Sequence, residues 1–138
     1  PDGAQIVDFD SYDRMRIGLA APDGSRDMII EQSTLLEGNL DRLNGISWSK
    51  GCYVGQELTA RMHYRALLKK RLYTVRIMSA PAVCGTVVFA NGLDVGEMRS
   101  HVGDIGLALL KCDIVEAQNI LTCGESTLVP VAVLAPHV

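Results

Sequence analysis

Long apolar runs, paired cysteines and aromatic rings are what this sequence of 138 residues has least of. No apolar stretch approaches the ~20 residues that cross a bilayer, and no basic-then-apolar leader opens the chain, so nothing points to membrane insertion or secretion. Cys52, Cys84, Cys112 and Cys123 form no Cys-x-x-Cys pair, and His63, His101 and His137 stand at no short metal-ligand spacing from them. That argues against a disulfide framework or a structural zinc, and each thiol suits a reducing compartment. Carboxylates are missing altogether from residues 58–93, which carry Arg61, Arg65, Lys69, Lys70, Arg71 and Arg76. This reads as a local basic face that attracts an anion at short range, while a net charge of −3 gives no general affinity for nucleic acid.

What is present is concentrated in Lys50-Gly51-Cys52-Tyr53-Val54-Gly55-Gln56-Glu57. A thiol lies between two glycines, which permit a tight backbone path. Gln56 to Arg65 reads as a helix beginning after Gly55, so Cys52 falls just ahead of a helix N-terminus. There the macrodipole and Lys50 both favour thiolate. Such a thiol can serve as nucleophile, redox sensor or soft-metal ligand. His63 lies about two helical turns beyond that N-terminus, which disfavours a Cys–His catalytic pair.

The octet resembles the signature of the YgfZ-type family, folate-binding proteins of iron–sulfur cluster assembly and repair within the superfamily of the glycine-cleavage T-protein, GcvT. Upstream, Glu37-Gly38-Asn39 and Gly45-Ile46-Ser47-Trp48 are similar to the family's Glu-x-Asn and Gly-Ile-Ser-aromatic lead-in. The likeness is strong over residues 14–76 and continues more weakly to the C-terminus. It departs from the family at Ala20 and Ala66, where glycine is usual. Members are longer, with the octet in their second half, so the resemblance implies that a chain starting at Pro1 is a fragment and that any site shared between halves is incomplete.

The resemblance implies an α+β fold, in which residues 1–68 end a GcvT-like folate-cleft α/β module and residues 69–138 form a small antiparallel C-terminal β-barrel. It implies tetrahydrofolate as ligand, iron–sulfur client or scaffold proteins as partners, and a cytoplasmic location, or the mitochondrial matrix in a eukaryote. Cys52 becomes the functional thiol with Lys50 beside it, and Gln56 and Glu57 order the helix start. Glu37 and Asn39 match the ring-side polar groups, Tyr53 flanks the site, and Arg61 or Arg65 meets the anionic tail. No turnover reaction follows from this. An aminomethyltransferase of the T-protein type is the enzymatic alternative, and an RNA-modification partner using the basic residues is a third.

Local patterns fill in the rest. Ala4–Phe9 alternates weakly as a strand, Ser11 suits the cap of a helix through Leu19, Asp27–Ile30 reads as a short strand, and Leu40–Leu43 reads as a helical turn. Ile46–Ser49 alternates as a strand, with Trp48 expected in the core. Strands are expected over Leu72–Ile77, Gly85–Phe89, Leu93–Arg99, Ile105–Leu110 and Ser126–Leu134, separated by Pro81, Asn91-Gly92 and Gly103-Asp104. Asn91-Gly92 is a hairpin turn, and His101 is placed in a turn between strands.

Overall fold

A computed structural model describes residues 3–65, 67–80, 82–117 and 120–131. Ala66, Pro81, His137 and the last part of the expected Ser126–Leu134 strand, residues 132–134, lie outside them. The short alternating segments of the second half close on themselves. Strands β1 (Lys70–Ile77), β2 (Val87–Ala90), β3 (Leu93–Val102), β4 (Ile105–Lys111), β5 (Leu121–Cys123) and β6 (Ser126–Pro130) form an antiparallel barrel in the order β1-β4-β3-β2-β5-β6, with β6 pairing back to β1. Closure leaves no sheet edge unpaired. Helices α1 (Phe9–Gly18) and α2 (Gln56–Tyr64) precede the barrel, and α3 (Cys112–Glu116) follows β4. The chain is therefore α+β, with a closed antiparallel barrel after the first two helices, as the resemblance implied.

Strand β1 explains how the first half is attached. Its inward residues Tyr73, Val75 and Ile77 join Val88, Met98, Leu110 and Leu128 inside the barrel. Leu72, pointing the other way, packs with Leu107, Ile17 and Ala20 in a second, smaller core between strands and α1. The Thr74 hydroxyl donates to the Ile17 carbonyl at 2.6 Å. Both faces of β1 are thus covered, and Arg71 to Val75 are buried without a break. At the Asn91-Gly92 turn both central residues have positive φ, 51° and 78°, between the paired Ala90 and Leu93. That is the type I′ geometry the dipeptide announces.

Several local expectations are corrected. Residues 4–8 form no strand, and the helix cap is Asp8 rather than Ser11, whose N–H donates to Asp8 Oδ1 at 2.8 Å. A carboxylate there both accepts the bond and meets the positive end of the helix. Asp27–Ile30 lies in turns, because Asp27 is drawn inward by Arg16 and its N–H donates to the Asp23 carbonyl at 2.8 Å. Ile46–Ser49 pairs with no strand, and of its four residues only Ile46 is buried. His101 belongs to β3, which runs longer than its sequence pattern suggested. Strand β5 and helix α3 were not anticipated, although Gly124-Glu125 between β5 and β6 is a two-residue turn with φ 59° at the glycine.

Candidate functional site

Between Ile46 and Thr59 no residue is buried, so the chain here is a surface loop running into a surface helix. Gly55 at φ 84° turns the backbone into α2 and caps it without a side chain. Only glycine takes that left-handed conformation at no steric cost. The Gln56 N–H donates to the Tyr53 carbonyl at 3.2 Å, and the Thr59 hydroxyl donates to the Gly55 carbonyl at 3.0 Å. Cys52 sits exposed on this bend. The Lys50 ammonium lies 5.0 Å from the centre of the Tyr53 ring, a cation–π contact within the octet.

Behind the loop, Tyr53, Gly55, Gln56, Glu57, Leu58 and Arg61 line an open cleft of about 560 Å³. Glu57 and Arg61, one turn apart, form an ion pair at its rim. Four of the residues singled out in the sequence, Tyr53, Gln56, Glu57 and Arg61, are brought together here, with Cys52 and Lys50 on the adjoining bend. Arg65 is exposed just past the end of α2, its N–H bonded to the Arg61 carbonyl at 3.1 Å.

Glu37 and Asn39 stand apart from that cleft. The Glu37 carboxylate accepts from the N–H and hydroxyl of Thr34, each at 2.9 Å, and its carbonyl accepts from the Leu72 N–H at 2.8 Å. Asn39, 1% exposed and at φ 61°, donates from Nδ2 to the carbonyls of Ala20 and Leu72 at 3.0 and 2.9 Å. Its Oδ1 accepts from Arg71, whose two terminal nitrogens also clasp Asp41 at 2.7 and 3.0 Å. Burial alone drives the Asp41 carboxyl upward, but the Arg71 hydrogen bonds and charge outweigh it and hold the group below the usual carboxylate range. Arg71 is therefore withdrawn from the expected basic face, Arg61 is neutralised by Glu57, and Arg76 lies at the far end of β1, where Asp104 senses its charge. The basic residues are dispersed rather than arrayed as one strip.

Two features went unnoticed in the sequence. Trp48 is not core: it is 37% exposed, stacked on His63 at 4.1 Å and 23°, with Tyr64 set edge-on to both rings. Helical spacing from the octet to His63 hides this contact, because Trp48 reaches it from outside the helix. A second cavity of about 510 Å³ is lined by Leu68, Lys69, Lys70, Lys111, Cys112, Asp113 and Glu116. Burial, reinforced by a hydrogen bond shared with Cys112, pushes the nearby Tyr73 phenol well above its ordinary value. Among the described residues no cluster of three or more His, Cys, Asp or Glu side chains is placed to hold a metal ion. No described helix is long and apolar enough to cross a membrane.

Residues 69–137 match the family described as "CAF17, C-terminal beta-barrel domain". Over 139 aligned residues, 36% are identical to the human "Iron-sulfur cluster assembly factor IBA57, mitochondrial", covering 97% of this chain and 39% of that protein. The mouse protein of the same name is 35% identical over 96% of the chain and 38% of its own length. An Aspergillus fumigatus homologue is 32% identical over 92% of the chain and 34% of its length. The chain thus spans well under half the length of these relatives.

Proposed function

The chain belongs to the IBA57/CAF17 family of iron–sulfur cluster assembly factors, and from that membership we propose that it serves the assembly or repair of clusters in client enzymes, with Cys52 as the functional thiol. The observation that carries this reading is the exposure of Cys52 on a glycine-framed bend beside an open cleft. Such a sulfur is accessible to a protein partner or a soft metal, and no described side chain covers it.

A reduced folate is the proposed ligand. The cleft volume falls within the ~300–1,000 Å³ typical of small-molecule sites, and its side chains fit the group in kind. Gln56 suits the donor edge of an amino-pyrimidine, Tyr53 offers a ring face and Arg65 suits an anionic tail, while Glu57 and Arg61 add a carboxylate and a guanidinium where a ligand parts their ion pair. Glu37 and Asn39 join this set only if a bound ring takes over hydrogen bonds they now make to Thr34, Ala20, Leu72 and Arg71. Calorimetric titration of tetrahydrofolate into Glu57→Gln and Glu37→Gln proteins separates the two sets. The relatives are named as mitochondrial, and the matrix is the proposed compartment in a eukaryotic cell, the cytoplasm in a bacterium.

The decisive experiment is complementation of cells that lack the endogenous factor. Cys52→Ser is expected to leave client iron–sulfur enzymes near background, while Cys84→Ser, which removes another exposed thiol, restores them fully. Equal rescue by both variants rejects Cys52 as the functional group.

A further inference from the structure

We propose that the stack of Trp48 on His63 is a positioning contact that fixes where the Cys52 loop stands relative to α2. The inference deepens the reading of Cys52 as functional thiol and rests on it for its biological meaning. Its physical content does not.

The loop from Ser47 to Val54 contains no buried residue, so packing does not define its path. Two of its contacts are internal: the Lys50 N–H donates to Ser47 Oγ at 3.2 Å, and the Lys50 ammonium lies over Tyr53. At its end the Tyr53 carbonyl accepts from Gln56, which only joins loop to helix start. Among the described residues no hydrogen bond or ion pair runs from this loop beyond the start of α2, and Trp48 reaches further, through its ring contacts with His63 and Tyr64 in the last turn of the helix. Its ring contact therefore pins the loop at one side and the Gly55 joint pins it at the other, with Cys52 between them. The rings stack near-parallel at 4.1 Å, and the edge of Tyr64 closes the pair at 5.0 Å from His63. Pairs of this kind favour the anchored arrangement over the released one by roughly twofold to tenfold. That is enough to bias a loop fixed otherwise only at its ends among the described residues, and too little to hold the fold together.

The test places a nitroxide on Cys52 in protein whose Cys84 and Cys112 are serine, leaving only the buried Cys123 as a further thiol. Trp48→Ala and His63→Ala are expected to raise the ratio of mobile to immobile spectral components about twofold to tenfold, without a change in Tm. His63→Phe, which keeps a ring against Trp48, is expected to retain the parent spectrum. A label at Cys84, with Cys52 now serine, should not respond to any of these changes. Trp48 is the sole tryptophan, so its emission reports the same release independently. Spectra unchanged in His63→Ala, or His63→Phe behaving like His63→Ala, overturn the proposal. If the label is released as expected while Cys52→Ser still sustains client enzymes, the positioning contact stands and the functional thiol falls.

Discussion

At the scale of single residues, Asp41 shows how a buried charge is kept. The Asp41 carboxylate is clasped by Arg71, which also reaches Asn39, and the three side chains fasten the 34–43 turn to β1. Replacing Asp41 by asparagine strands the guanidinium and is expected to cost about 2–3 kcal/mol at neutral pH, read from urea unfolding. The pH dependence has a definite sign. The folded-state pKa of Asp41 is lowered, so its contribution is present above the unfolded value near 3.9 and is lost as pH falls through the lower folded value. Wild type and Asp41→Asn should therefore converge in stability below about pH 4, and a constant gap across that window contradicts the pairing. The thiols differ on the same principle of burial. Cys52 and Cys84 should be alkylated rapidly in the native protein, whereas Cys123, buried and with its thiol pushed up by desolvation, should react only through unfolding. Mass spectrometry of partially labelled protein measures the order. The bend at Cys52 was legible from its glycines, but the engagement of Asn39 was not, because its partners lie 19 and 33 residues away.

At the scale of elements, what the sequence revealed was whatever its own neighbours decide. Asn91-Gly92 set a hairpin because both positions tolerate positive φ, and four of the five strands expected from Leu72 onward fall largely where the sequence placed them. The start of α2 after Gly55 was readable for the same reason. Strand β5 escaped notice because three residues are too few to show a period, and it exists only through pairing with β2 and β6. Ile46–Ser49 failed in the opposite sense: it alternates, yet no strand stands beside it to pair. Close approach of β3 to β4 imposes a demand that no pattern discloses. A Cβ added at Gly96 would lie 1.9 Å from the Leu109 carbonyl oxygen, in backbone that cannot step aside without breaking the barrel. Gly96→Ala is expected to lose on the order of 3 kcal/mol or to fail to fold, whereas Gly51→Ala, with open space around the added carbon, should be close to neutral. Thermal unfolding of the two variants side by side decides whether crowding or glycine content is what matters.

For the molecule as a whole, the question is how a helix with its apolar side turned outward stays on the barrel. Phe9, Tyr12, Met15 and Leu19 are all exposed, while Asp13 and Arg16 are buried with Ile17. A reading by amphipathicity alone would orient α1 the wrong way round. The orientation is set by Arg16, whose Nε meets Asp13 at 2.5 Å, one terminal nitrogen meets Asp27 at 2.7 Å, and the other donates to Ser100 Oγ on β3 at 2.8 Å. Asp27 in turn accepts from the Ser100 N–H at 2.9 Å, and Arg26 adds a second clamp on Asp13. The Asp13 carboxyl is held low chiefly by Arg26, against desolvation and with help from Arg16. One guanidinium thus joins a helix, a turn and a barrel strand that are distant in sequence. Removing it leaves buried carboxylates short of their counter-charge, so Arg16→Met is expected to cost about 3–5 kcal/mol. Arg16→Lys should rescue little of this, since a single ammonium cannot span three partners held by a planar fork. The loss should also be localised: amide hydrogen exchange is expected to collapse over α1 and residues 20–27 while β1 and β4, paired along seven residues, keep their protection. Protection retained over α1 would mean that the apolar contacts of Ile17 and Leu72, rather than the buried charges, hold the two halves of the chain together, and uniform loss across the barrel that the two unfold as one unit.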